Sequence, residues 1–187
     1  MRTKDKKIFD KFNDLLSDVH DGELLKFHFF LDLTTFSTKF SGHFWTGSHV
    51  KTILEIPNKM AVGIDIINAG VRFVEYNMSW LPPLTIKKGK TVGYELWTHG
   101  TWKEDVQNVL DDISKKRTRS PSYKLAPLFP GKKYGQNCST YALKLGRKAG
   151  YNFFSEKIYG SNPKAVSSTL HRRERITDWS VRYALKG

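Results

Sequence analysis

The feature that most constrains the fold of this chain is the density of β-branched and aromatic residues in its middle third. Over residues 40–67 these residues are interrupted at Gly47-Ser48, Pro57-Asn58 and Gly63, which is typical of short antiparallel strands joined by turns. Alternation over residues 25–31 and apolar runs over 71–76 and 91–97 add further strands. The sequence therefore predicts an antiparallel sheet whose first hairpin turns near residues 47–50.

Helices are predicted on both sides of this sheet in the sequence. Apolar residues recur at helical spacing over residues 4–19 and 102–116, and Thr101 and Glu104 match a capping box at the start of the second helix. A third helix is expected to open at or beside Cys138 and to stop at Gly150, and a fourth to run from Pro163 to about Arg172. Since 187 residues are too few for two ordinary domains and a linker, we expect one α+β domain over residues 1–187.

The charge of the chain indicates an acidic partner or substrate. Its 31 Lys and Arg residues against 18 Asp and Glu residues leave a net charge of +13, which attracts polyanions. Nucleic acid, anionic lipid, the bacterial cell wall and an acidic inhibitor protein all fit this charge. Residues 1–12 lack the apolar stretch of a secretory signal, and no run approaches the roughly 18 apolar residues of a spanning helix. We therefore expect a soluble chain without a Sec-type signal or a transmembrane segment.

The chain has a single cysteine, which excludes an intramolecular disulfide and a zinc site built on several thiolates. Its histidines show no HExxH pattern, so we expect neither a metal nor another cofactor. The predicted helix N-terminus at Cys138 favours a thiolate, whereas the position of Cys138 on the apolar stripe of that helix favours a buried structural thiol. The position alone leaves both interpretations open.

A reactive thiolate needs a basic partner, which any of the histidines could supply. His43 follows the small Gly42 and precedes two large aromatic residues, so it can project from a strand beside an open space. For most of the others a solvated surface position is the simpler interpretation; the six histidines are His20, His28, His43, His49, His99 and His171.

Two short motifs carry a resemblance to a known family. They are GHFW at residues 42–45, on an early strand, and YGQNCSTYA at residues 134–142, opening a helix. This order resembles the permuted NlpC-type papain-like superfamily, which includes bacterial cell-wall amidases and endopeptidases, effector toxins and lecithin:retinol acyltransferase-like enzymes. The resemblance implies a circularly permuted papain-like fold with Cys138 as nucleophile and His43 as base.

The resemblance also implies a third polar residue that orients the histidine. If the hairpin turns around His49, Glu55 lies across from His43, and we therefore predict Glu55 in this role. A shift of one residue in register would turn Glu55 to the other face, so His49 and Asp65 are alternatives.

The oxyanion of an acyl-transfer intermediate needs hydrogen-bond donors, of which the backbone amide of Cys138 is the first candidate. Tyr134, Gln136 and Asn137 are candidate oxyanion or substrate-binding residues because they precede the cysteine directly. Gln136 and Asn137 fit equally well as caps of the helix.

The resemblance and the charge together predict a cysteine-dependent amidase or endopeptidase that cleaves peptidoglycan. Without a Sec signal, it would be an antibacterial effector toxin delivered by a secretion system into the target periplasm, with an acidic immunity protein in the producer. One alternative is a thiol-dependent lipid acyl hydrolase or acyltransferase, with Trp80, Leu81 and Phe129 available for membrane contact. A nucleic-acid-binding module or nuclease toxin is less favoured, because no recognised motif accompanies the basic runs Lys115-Lys116-Arg117, Lys132-Lys133 and Arg172-Arg173.

Overall fold

The computed structural model describes residues 3–32, 49–67, 70–76, 94–115, 137–151, 163–174 and 180–184. These residues form four helices and six strands. The helices are α1 (Thr3–Ser17), α2 (Lys103–Lys115), α3 (Cys138–Lys148) and α4 (Pro163–Glu174). The strands are β1 (Leu25–Asp32), β2 (His49–Ile56), β3 (Met60–Ile67), β4 (Gly70–Tyr76), β5 (Tyr94–Thr101) and β6 (Ser180–Ala184).

The strands form one sheet in the order β4-β3-β2-β1-β5-β6, and every neighbouring pair is antiparallel. The predicted α+β class with an antiparallel sheet and packed helices is confirmed. Among the described residues, no helix combines the length and apolar character that crossing a membrane requires.

The two faces of the sheet bury different sets of side chains, because successive residues of a strand point to opposite faces. One face packs against all four helices; it includes Phe27, Phe29 and Leu31 of β1 and Val50 and Leu54 of β2. The other face carries a smaller buried cluster, made of Phe30, Ile53, Ala61 and Leu96 with Tyr76 packed against it. Phe30 interrupts the alternation in the sequence because both faces of β1 are buried.

Most predicted elements lie within two or three residues of their observed limits, and the exceptions have local causes. The hairpin predicted at residues 47–50 is wrong in its second half, because His49 and Val50 belong to β2. The tight turn follows at residues 57–59, where Asn58 takes a positive φ of 60°. Strand β6 was not predicted, and the predicted strand over 91–97 extends to Thr101.

The capping box predicted at Thr101 is also wrong. Thr101 is the last residue of β5, and its buried hydroxyl donates a hydrogen bond to the carbonyl of Ala149 at 3.0 Å. Helix α2 begins two residues later, at Lys103. The threonine therefore joins the end of the sheet to the end of α3 rather than capping α2.

Two leucines of different burial allow the packing of the core to be tested. Leu54 is fully buried between the sheet and the helices, whereas Leu24 is 53% exposed. We expect Leu54→Ala to lower the free energy of unfolding by about 2–5 kcal/mol through lost burial and a residual cavity. Leu24→Ala, the same chemical change, should cost less than about 1 kcal/mol. Urea unfolding followed by circular dichroism measures both, and equal losses would contradict this core.

Candidate active site

The start of α3 fixes the position of the cysteine. The Asn137 side chain accepts a hydrogen bond from the Thr140 amide at 2.9 Å, and the Thr140 hydroxyl accepts one from the Asn137 amide at 3.0 Å. This reciprocal capping box holds Asn137 in an extended conformation and makes Cys138 the first helical residue. The thiol therefore lies at the positive end of the helix dipole, as the sequence predicted.

The thiol of Cys138 reaches polar groups of the sheet at a point where strands β2 and β3 are no longer paired. The β2–β3 ladder runs from Ile56 and Met60 to Thr52 and Ile64, whereas β2 continues to His49 in its pairing with β1. Beside residues 49–51 the amides of β2 are no longer bonded to β3. There the sulfur of Cys138 accepts a hydrogen bond from the Val50 amide.

Three side chains meet at this separation. The Nε2 atom of His49 donates a hydrogen bond to Oδ1 of Asp65 at 2.8 Å, and the same ring hydrogen-bonds to the thiol of Cys138. Side-chain exposure is 29% for His49 and 15% for Asp65, and Cys138 is 8% exposed. The group is thus largely shielded from water, and its imidazole retains some access to solvent.

The electrostatics of the group favour an ion pair between sulfur and imidazole. Burial by itself disfavours the imidazolium, but the hydrogen bonds and charges of Asp65 and Cys138 outweigh burial and raise the pKa of His49 to about 9. Burial likewise disfavours the thiolate, and His49, the Val50 amide and Ser139 outweigh it, so that the pKa of Cys138 is lowered. Both shifts favour a thiolate beside an imidazolium over a neutral thiol beside a neutral imidazole.

The first turn of α3 also provides hydrogen-bond donors. The amides of Cys138 and Ser139 have no carbonyl partner within the helix, because helical bonding begins with the Tyr141 amide, which donates to the Asn137 carbonyl. The Asn137 side chain is buried and caps the helix, which is the alternative role that the sequence offered for it, and its role in substrate binding stays a prediction. The Cys138 amide remains the first candidate oxyanion donor.

Other predicted site residues lie apart from this group or outside the described residues. His43, Tyr134 and Gln136 lie outside the described residues. Glu55, the predicted orienting residue, lies six positions along β2 from His49, about 20 Å at strand spacing.

Glu55 instead serves a different histidine. Its Oε2 accepts a hydrogen bond from Nε2 of His28 at 2.7 Å, and Lys26 lies 3.6 Å from Oε1. The hydrogen bond from His28 outweighs burial and lowers the pKa of Glu55. The alternatives His49 and Asp65 are the residues that the structure brings to Cys138. The sequence named both, but the register that pairs them was not visible in it.

Within the described parts of the chain, no group of three or more His, Cys, Asp or Glu side chains is arranged to hold a metal ion. The chain matches no protein-family model, no curated protein and no solved structure. The chemistry of the site therefore rests on the geometry of Cys138, His49 and Asp65.

This geometry predicts an unusually acidic thiol. We expect Cys138 to react with iodoacetamide with an apparent pKa below the ordinary value of about 8.5 for a free thiol. In His49→Ala the hydrogen bond and the positive charge are lost while burial remains, so the apparent pKa should rise above that value. His28→Ala, which removes the other strand-borne histidine, serves as the control and should leave the profile unchanged. An unshifted profile in His49→Ala would contradict the ion pair.

Proposed function

We propose that this protein is a cysteine-dependent acyl hydrolase in which Cys138 is the nucleophile, His49 the general base and acid, and Asp65 the residue that orients His49. The observation that carries the proposal is the continuous hydrogen-bonded series from the Cys138 thiol through the His49 ring to the Asp65 carboxylate. A nucleophile, a base and an orienting carboxylate in this order are the arrangement that acyl transfer requires.

The proposed reaction has two stages. The thiolate attacks the carbonyl carbon of an amide, and the oxyanion accepts a hydrogen bond from the Cys138 amide. The imidazolium of His49 then gives its proton to the leaving amine as the carbon–nitrogen bond breaks, which leaves a thioester. In the second stage the neutral imidazole takes a proton from water, the hydroxide displaces the sulfur, and the carboxylic acid and the thiolate are released.

The element order supports the resemblance to permuted papain-like hydrolases. A strand-borne histidine precedes a cysteine that opens a helix, and this helix packs against the antiparallel sheet. We propose the circularly permuted papain-like fold on this basis. His49 then has the role of base that the sequence analysis predicted for His43. Asp65 likewise has the role of orienting the histidine, which the sequence analysis predicted for Glu55.

The proposed substrate is an amide bond of peptidoglycan. The charge of +13 favours an anionic polymer, and the cell wall combines carboxylates with peptide bonds. We further propose delivery as an antibacterial effector into the target periplasm and inhibition in the producer by an acidic immunity protein. Ester cleavage in an anionic lipid would use the same three residues, so it is tested beside amide cleavage.

The proposal predicts which variants lose activity on purified peptidoglycan, followed by mass spectrometry of the released fragments. Cys138→Ala should release no fragments, and His49→Ala should lower the rate by about 10²–10⁴-fold because no group is left to transfer the proton. His43→Ala should retain activity within about threefold. Activity retained in Cys138→Ala would eliminate the thiol mechanism. If none of the proteins releases peptidoglycan fragments and only the wild type releases fatty acid from anionic vesicles, the substrate bond is an ester of a lipid and not an amide of peptidoglycan.

The pH profile separates the two histidine–carboxylate pairs. Catalysis needs a protonated His49, so kcat/KM should fall as pH rises through about 9. Asp65 stabilises the imidazolium, so Asp65→Asn should lower the pKa of His49 and move this fall toward neutral pH. Glu55→Gln removes the same charge from the His28 pair and should leave the profile in place. A shift in Glu55→Gln of the same size as in Asp65→Asn would contradict the assignment.

A further inference from the structure

An arginine lies beside the candidate site and is not used by the proposed chemistry. Arg72 of β4 is the direct cross-strand partner of Asp65 on β3. Directly paired residues of an antiparallel ladder point to the same face, with Cβ atoms about 5 Å apart. Arg72 therefore stands on the face that carries Asp65 and His49, one strand farther from the thiol.

The guanidinium of Arg72 has an unused donor. Its Nε atom is buried and has no hydrogen-bond partner among the residues that the structure describes. Asp65 does not supply one, because its Oδ1 accepts the hydrogen bond from His49, and none of the ion pairs within the described ranges joins Asp65 to Arg72. The side chain as a whole is half-buried, so solvent reaches part of it. A buried donor without a partner costs free energy, which leaves the guanidinium without compensation from the described residues. A ligand can reach this side chain only through the part that solvent reaches.

We propose that Arg72 is a specificity residue that binds a carboxylate of the substrate. The planar guanidinium presents N–H donors in a fixed fork that matches the two oxygens of a carboxylate. The proposal rests on the proposed function, because it assigns a substrate group to the same site. The new element is that the substrate carries a carboxylate near the bond that is cleaved.

The spacing of the strands indicates where that carboxylate lies. Strand β3 separates β2, which carries His49, from β4, which carries Arg72. Two strand spacings amount to roughly 10 Å, and an extended peptide advances about 3.3 Å per residue. The carboxylate is therefore about two to four residues from the scissile carbonyl, which suits a short acidic peptide such as a peptidoglycan stem.

Binding to a protein that cannot cleave separates this inference from the proposed reaction. The probes are a synthetic peptidoglycan stem tetrapeptide with free carboxylates and the same peptide with its carboxylates amidated, titrated calorimetrically into Cys138→Ala at 150 mM salt. We expect the free acid to bind about 10- to 100-fold more tightly than the amide. Adding Arg72→Gln should abolish this difference, and Arg72→Lys, which keeps the charge without the fork, should preserve part of it.

Arg147→Gln is the matched control, since Arg147 is exposed at the end of α3 and its replacement removes the same charge. It should leave the preference for the free acid intact, and thermal unfolding should show that each variant is folded. Three results would overturn the role of Arg72: equal binding of both peptides, a preference for the free acid that survives Arg72→Gln, or no binding of either peptide. A preference that survives Arg72→Gln is the result expected if an ordered water, and not the substrate, is the partner of Nε. Cleavage of the same peptides by the wild-type protein tests the proposed function separately.

Discussion

The packing of α3 against β2 and β3 is the constraint on which the candidate site depends. Tyr141, Leu145 and their buried neighbours hold the helix on the apolar face of the sheet, and its first residue then meets the sheet where the β2–β3 ladder has ended. The thiol can therefore contact the Val50 amide and the His49 ring, although the helix axis lies on the opposite face from that ring. A helix placed one turn away would present Cys138 to paired strands with no open position.

The second face of the sheet carries two histidine–carboxylate pairs of similar chemistry. His28 with Glu55 and His49 with Asp65 both join cross-strand neighbours at 2.7–2.8 Å. Their surroundings differ, since His28 also hydrogen-bonds to the Thr98 hydroxyl at 2.9 Å and is buried, whereas His49 faces the thiol. The distinction between a structural pair and a reactive one is set by the neighbour of the imidazole rather than by the pair itself.

The sequence predicted the helices, the antiparallel sheet and the helix-opening position of Cys138, because these depend on local periodicity and capping. It did not single out His49 as the histidine that contacts Cys138, because that contact depends on strand register, and register is decided by which faces are buried across the whole sheet. The predicted base His43 lies outside the described residues. Glu55 and Asp65 both occupy plausible strand positions, and only the pairing of β1, β2 and β3 assigns each to its histidine. Thr101 shows the same limit, since its partner Ala149 lies 48 residues away.

Helix α3 is held at both ends, and this fixes its length. The capping box of Asn137 and Thr140 holds the start, and the hydrogen bond from Thr101 to the Ala149 carbonyl holds the end, just before Gly150 turns the chain with a φ of 90°. One inserted residue would advance the helix by about 1.5 Å and rotate its ends against each other by about 100°. Chains of common descent with this one should therefore conserve the number of residues between the Asn-Cys pair and the glycine, even where the surrounding sequence has diverged. That interval, together with a histidine 16 residues before an aspartate, is a spacing signature by which distant relatives could be recognised.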